Sequence, residues 1–455
     1  MNNRPIRSIS RRRSSTGMVI VCVAGLVVLA GSSLGTAQAA SGRAAASSST
    51  TLISVSSGGE QGVDYRSEAL AVSASGRYVA FTSAASNLVP GDTNETWDVF
   101  VRDRWAATTA RISESSAGVQ ANSSSYGLMM SPDGRYILFG SDATNLVRGD
   151  TNAAFDVYLW DRRSGLTSRV SLSDSGGQLN ASTYGGAISA DGRYVTFNTA
   201  ASDVGGGRDA NEASDVFVRD RVAGTTRRVS QSNGGGQANG ASDSSAISAD
   251  GQFVTFTSEA SNLVRGDANG FADIFVWDRR TSTTSRVTRS ADGRGTDNGS
   301  TLGGINSDGR YITFTSDASN LVAGDTNGFG DIFLWDRQSD TTRRVSSSIT
   351  GGPSNEHSYS SLTSADGRYV TFTSDASNLV AGDTNGFGDI FLWDRQTDTI
   401  SRMSLTTAGG QSNDYSYAPA INADGRYVAF SSYASNLVPT DTNNLVDAFL
   451  RDRLA

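Results

Sequence analysis

Cysteine is almost absent from the 455 residues: Cys22 is the only one. It lies in a leading apolar stretch that is expected to be removed, which excludes disulfides and thiolate chemistry from the mature chain. Histidine is as scarce, with His357 alone, and nucleophile–base pairs usually depend on that residue. Lysine does not occur; all 38 basic side chains are arginine, a feature that excludes no function class. No basic stripe is visible, which excludes a nucleic-acid binder. Helical periodicity is missing, which excludes a helical bundle or solenoid. Only 6 prolines stand against 50 glycines. With plentiful Ser, Thr, Asp and Asn, this is the balance of short strands joined by polar turns.

The N-terminus reads as an export signal. Arg4, Arg7 and Arg11 to Arg13 form a basic region, and Met18 to Ala30 an apolar one of 13 residues. That run is too short for a comfortable membrane span. Ala37-Gln38-Ala39 offers a small-x-small cleavage site before Ala40. An uncleaved signal anchor is the alternative. Ser10-Arg11-Arg12 has the start of a twin-arginine signal without the rest, so the general secretory route is preferred. Val21 before Cys22 is too large for lipoprotein processing. Cleavage removes five arginines and no acid, leaving 33 arginines against 46 acids, a net charge of −13. The expected organisation is a signal peptide at 1–39, an Ala/Ser-rich linker at 40–49 and one domain at 50–455. The mature protein is expected to be secreted or periplasmic, monomeric and without a stable membrane span.

One segment recurs along that domain. Gly76-Arg77-Tyr78-Val79-Ala80-Phe81 returns, lightly varied, at Gly134, Gly192, Gly251, Gly309, Gly367 and Gly425, in steps of 58, 58, 59, 58, 58 and 58. Residues 313–338 are repeated unchanged at 371–396, which implies recent duplication of one unit. A fixed period of this size marks a repeat architecture. The sixth unit shows its content. Ser358 to Ser364 is a short strand of small residues, and Ala365-Asp366-Gly367 a tight turn in which Gly supplies positive φ. Arg368 to Ser374 is a strand alternating outward and inward. Asp389 to Asp394 and Thr399 to Leu405 complete the unit. Four short antiparallel strands, seven times over, predict an all-β chain folded as a single seven-bladed β-propeller. The last unit lacks its fourth strand. Thr51-Leu52-Ile53-Ser54-Val55-Ser56 matches Thr342-Arg343-Arg344-Val345-Ser346 in character and is expected to complete it, removing two open sheet edges.

The run Ser-Ala-Asp-Gly-Arg-Tyr-Val-x-Phe, followed by an apolar Asp-Ile-Phe-x-x-Asp strand, resembles the TolB-type, WD40-like propeller repeat. The resemblance covers nearly the whole mature chain. It implies the propeller fold but no single function, since that superfamily includes scaffolds, sensors and the non-catalytic domains of peptidases. This repeat is longer than usual, with the extra length in loops, and neither TolB's N-terminal domain nor a hydrolase domain is found. Trp160, Trp277, Trp335 and Trp393 each precede Asp as in WD repeats, but the Gly-His partner motif is missing.

Antiparallel alternation places both long connections of every unit on one face of the disc and both short turns on the other. Loops on a rigid scaffold are the usual carriers of function. The connection from second to third strand holds a sevenfold D-x-N-x-x-x-D pattern: Asp92/Asn94/Asp98, Asp150/Asn152/Asp156, Asp209/Asn211/Asp215, Asp267/Asn269/Asp273, Asp325/Asn327/Asp331, Asp383/Asn385/Asp389 and Asp441/Asn443/Asp447. Its oxygen ligands suit calcium, although the fifth position is apolar or small and no distant bidentate Glu follows. The mismatch favours Asx turns, so calcium is a candidate and no cofactor is required. The other long connection carries Asp64, Asn122, Asn180, Asn239, Asp297, Asn355 and Asn413, read as turn chemistry.

Binding residues are sought where the units differ. Eight residues before each turn glycine stand Glu68, Tyr126, Tyr184, Asp243, Thr301, Tyr359 and Tyr417. Beginning the innermost strands, they are expected to ring the axial opening, where tyrosines and carboxylates suit a sugar or a peptide; filling the funnel mouth is the plainer alternative. Trp97 and Phe155 are read as rim packing. The function expected is a non-catalytic binding or interaction scaffold for a protein or glycan ligand. A carbohydrate-active or peptide-cleaving enzyme and a structural envelope or matrix protein are the alternatives.

Overall fold

The computed structural model describes residues 48–205, 209–290 and 292–454; the signal peptide and most of the linker lie outside these residues. Among them are 28 strands and no helix long and apolar enough to cross a membrane. The strands form seven four-stranded antiparallel sheets, so the chain is the expected seven-bladed propeller. In the first blade the strands run Ser67–Val72, Tyr78–Ser83, Asp98–Asp103 and Thr108–Arg111, from axis to rim. In the seventh, Ser416–Ile421, Tyr427–Ser432 and Asp447–Asp452 are completed by Ser49–Leu52.

Closure therefore occurs, but one residue out of the expected register. Leu52 pairs with Phe449 as Arg344 pairs with Phe333, so Thr50, not Thr51, corresponds to Thr342. A buried serine explains the register. Ser54 donates to Asp447, as Ser346 donates to Asp331, and a slip would leave both groups unpaired in the interior. Strand pairing starts at Ser49, inside the span read as linker, and the chain leaves the ladder after Leu52. Val55 then bridges Gln61.

The second strand also departs from expectation. Tyr369–Ser374 is buried along nearly its whole length instead of alternating, because blades stack on both of its faces. Only the outermost strands alternate, as in Thr108–Arg111. Each blade carries one stacked aromatic pair between its second and third strands, from Phe81–Phe100 at 5.4 Å to Phe430–Phe449 at 5.9 Å. These rings, none more than 1% exposed, lie in the blade-to-blade core.

The turn face is clasped by arginine. Arg77 of the first turn forks onto Asp103 at 2.7 Å. Equivalent pairs recur in every blade but the fourth, where Gln252 reaches Asp278 instead. Arg193 and Arg310 hold Asp220 and Asp336 down to about 2 through the same hydrogen bonds. A second arginine ties neighbouring blades. Arg162 donates to the carbonyl of its own turn glycine, Gly134, at 2.8 Å, and its guanidinium lies 4.0 Å from the centre of the Tyr78 ring in the preceding blade. Arg104 does the same across the closing seam, over Tyr427. The ring of clamps is continuous, with Phe253 replacing tyrosine once.

Candidate functional site

On the loop face the sevenfold D-x-N-x-x-x-D connection builds an ion-paired Asx turn. Asn94 accepts from the Thr96 N–H at 3.2 Å and donates to Asp98 at 3.0 Å, so its amide offers the carboxylate a donor. Between Asp92 and Asp98 stands Arg111 of the outer strand, 3.3 and 3.8 Å from them. Arg169 takes this place beside Asp150 and Asp156, with Asn152 donating to Asp156. Arg228 pairs with Asp215, while Gln237 bridges Asp209, Asn211 and Asp215. Arg286 sits between Asp267 and Asp273, with Asn269 on Asp273. Arg344 sits between Asp325 and Asp331, with Asn327 on Asp331. Arg402 sits between Asp383 and Asp389, with Asn385 on Asp389. A guanidinium thus fills the position a cation would take in six blades, and no group of three His, Cys, Asp or Glu suited to a metal ion occurs among the described residues. The sequence signal for this pairing is an arginine recurring in phase on the fourth strand, at Arg111, Arg169, Arg228, Arg286, Arg344 and Arg402.

The seventh blade differs. The borrowed strand brings Leu52 to the arginine position, and Gln61 bridges Asp441 and Asp447 at 2.8 and 2.7 Å, while Asn443 holds the Gly62 carbonyl. Burial raises Asp447 to about 6. Asp98 is also raised to about 6, desolvation there outweighing the Ser113 hydrogen bond and the Arg111 charge, as at Asp447 it outweighs the hydrogen bonds from Ser54 and Gln61. A cavity of about 350 Å³ opens along this seam, lined by Leu52, Val55, Gln61 and Val438 among others.

The second set of Asx residues braces loops against each other. Asn122 exchanges hydrogen bonds with Thr144, 22 residues away, at 3.0 and 2.9 Å, and Asn180, Asn239, Asp297, Asn355 and Asn413 repeat the latch. Their role is structural, but their partner is the neighbouring loop rather than their own turn. The two long connections of a blade are therefore held together before any ligand arrives.

The variable positions at the head of the innermost strands fall into separate groups. Tyr417 donates to Glu68 across the closing seam at 3.3 Å, and Glu68 pairs with Arg66 at 3.2 Å. Tyr126 and Tyr184 belong to a second group, joined through Phe155 at 6.4 and 5.5 Å between ring centres. Trp97 packs on Tyr126 at 6.2 Å. Trp97 and Phe155 are thus not rim packing: Phe155 stands between Tyr126 and Tyr184, and Trp97 lies between Tyr126 and Arg66. Tyr359 donates to Asp375 at 3.2 Å, and burial pushes both groups up. Asp243 and Thr301 are exposed. Although solvent reaches the Asp243 side chain, the crowded funnel mouth partly desolvates its carboxyl and, with Glu259 repelling, raises it.

A bulge in the innermost strand aims several of these side chains. The residue after Asp243, Tyr359 and Tyr417 has positive φ: Ser244 at 48°, Ser360 at 56° and Ala418 at 50°. Gly185 at 65° holds the same place after Tyr184. Non-glycine residues reach this region at about 1 kcal/mol or more. Ala418, whose side chain is exposed, is the cleanest test. Ala418→Gly is expected to raise Tm by about 1 °C, the relief of strain being partly offset by the greater freedom of glycine in the unfolded chain; calorimetry measures it.

His357 is engaged structurally. Its Nδ1 accepts from the Gly330 N–H at 2.9 Å, and its ring meets the Phe329 edge-on at 4.9 Å.

No protein-family model and no curated protein matches the chain. Solved structures do. An oligogalacturonate lyase from Vibrio parahaemolyticus superposes with a TM-score of 0.53 at 11% identity, over 89% of this chain and 97% of that one. The propeller domain of the Trilobed protease from Pyrococcus furiosus gives 0.50 at 10%, over 86% and 98%; it is described as having an open velcro topology, whereas the ring here is closed by its own first strand. TolB from Acinetobacter baumannii gives 0.39 at 13%, over 84% and 82%. At such identities the likeness to the lyase and the protease domain establishes the propeller fold alone.

Proposed function

We propose that this protein is an exported, monomeric, TolB-like propeller that works without catalysis, as a binding scaffold whose loop face receives a glycan or protein ligand. The observation that carries this reading is the contrast between the two faces. The turn face repeats one arginine–aromatic clamp around the whole ring. The loop face is braced by Asx latches in six blades, yet varies from blade to blade at the head of each innermost strand. It also leaves large rings in solvent: Tyr65, Tyr184, Tyr415 and Tyr433 are each 44–52% exposed. A preformed surface with adaptable polar groups and exposed aromatics suits recognition. Against catalysis by a histidine stands the use of Nδ1 of His357 by the Gly330 backbone. The sevenfold acids are tied to arginine in six blades, which opposes their use as a catalytic carboxylate pair.

The mature protein should retain ligands from immobilised glycan and peptide panels. Tyr417→Ala or Tyr359→Ala is expected to weaken retention, and Trp105→Ala on the turn face to leave it unchanged. Retention lost only on the turn-face change would refute the assignment of the face.

A further inference from the structure

Resting on the binding reading above, the geometry points to a site for an uncharged, extended polysaccharide on the loop face of blades one to three, built from Trp97, Tyr126 and Tyr184 on a Phe155 support. Phe155 is only 6% exposed and lies between the two tyrosines, while Tyr184 is 44% exposed. The buried ring therefore props the outer ones and is not itself the contact surface. Its seat is prepared by a single small residue. A Cβ on Gly140 would lie 2.2 Å from the Phe155 ring. The other six units carry a side chain there: Thr82, Asn198, Thr257, Thr315, Thr373 and Ser431. Blade two alone combines the missing side chain with the added ring. Duplicated blades do not need this pair in order to close, since six close without it.

Ring centres 6.2, 6.4 and 5.5 Å apart run from Trp97 through Tyr126 and the buried Phe155 to Tyr184, so three accessible rings form a strip on one support. Aromatic faces take the C–H faces of sugars, burying area with little loss of side-chain freedom. At its first-blade end the strip meets Arg66, whose guanidinium lies 5.2 Å from the centre of Trp97 and pairs with Glu68. Together these supply donors and acceptors side by side, the pairing that vicinal hydroxyls require. Charge selects the ligand. The mature chain, with 33 arginines against 46 acids, carries a net −13, and a polyanionic glycan would meet that field without a basic groove to offset it. An uncharged chain pays no such penalty.

The test is calorimetric titration of the mature protein with cellohexaose and xylohexaose, beside polygalacturonate and a proline-rich peptide. At least one neutral hexasaccharide is expected to bind, and polygalacturonate to bind more weakly. Tyr184→Ala, at an exposed ring, should weaken neutral binding about tenfold. Gly140→Thr, which restores the side chain of the sister blades and displaces Phe155, should do the same while lowering the melting temperature by a few degrees through overpacking; Tyr184→Ala, at an exposed ring, reads the binding loss without that cost. Binding of the peptide alone would overturn the glycan assignment while leaving the loop face as a recognition surface. Glycan binding untouched by Tyr184→Ala but abolished by Tyr359→Ala would overturn the strip and keep the broader reading. Glycan binding untouched by any loop-face change would overturn both.

Discussion

Deleting residues 49–56 is expected to lower Tm by on the order of 10 °C and to make the protein self-associate. The segment supplies the outer strand of the seventh blade, pairing from Ser49–Asp452 to Leu52–Phe449. It also buries Ile53 and Val55, which are 1% and 8% exposed. Two such side chains contribute about 3–6 kcal/mol by apolar burial, and each lost hydrogen bond adds about 1 kcal/mol. Two charges lose partners as well. Thr50 receives Arg451 at 2.8 Å, and Ser54 donates to the buried Asp447. A buried charge stripped of its hydrogen bonds costs more than the bonds contributed. The exposed edge of Asp447–Asp452 would then offer Phe449 and Leu450 for pairing with another copy. Calorimetry and light scattering read the two effects. An unchanged melting curve in a monodisperse sample would mean that the ring does not depend on its borrowed strand.

The second large effect is expected at the turn glycines. Gly367 has φ +68°, and a Cβ there would lie 2.1 Å from the Tyr311 ring of the preceding blade. Gly382, in the same blade, has φ +74° with nothing within 4 Å of the added atom. Gly382→Ala therefore carries only the backbone term, about 1–2 kcal/mol. Gly367→Ala carries that term plus overpacking, a further 1–3 kcal/mol, because Tyr311 is held between Arg310 and Arg395, 4.8 and 4.4 Å from its centre. Gly367→Ala should unfold at a clearly lower temperature than Gly382→Ala. Equal losses would show that the turn glycine serves its own backbone alone and that the blade interface yields freely.

The same glycine marks how far the sequence could be read. Its recurrence with Asp and Arg located seven turns, and its positive φ followed from turn chemistry. That it also makes room for a tyrosine one blade away did not follow, since the partner lies in the preceding unit, 56 residues earlier in the chain. The fourth-strand arginines are a parallel case. Their recurrence is plain, but pairing with the D-x-N-x-x-x-D acids needs the hairpin register that sets Arg344 opposite Phe333. Without that register the acids resembled a cation loop. The place of Phe155 is hidden in the sequence for a similar reason: only stacked blades bring it between Tyr126 and Tyr184.

From sequence alone came the all-β class, the number of blades, the four-strand unit, the division into a turn face and a loop face, and the need for the leading segment to close the ring. All of these are periodic or local, and duplication wrote them seven times over. Tertiary structure decided which arginine neutralises which acid, which ring rests on which glycine, and where the face becomes irregular. Those contacts join residues in different loops or adjacent blades, whose separation along the chain carries no trace of their distance in space until the sheets are stacked.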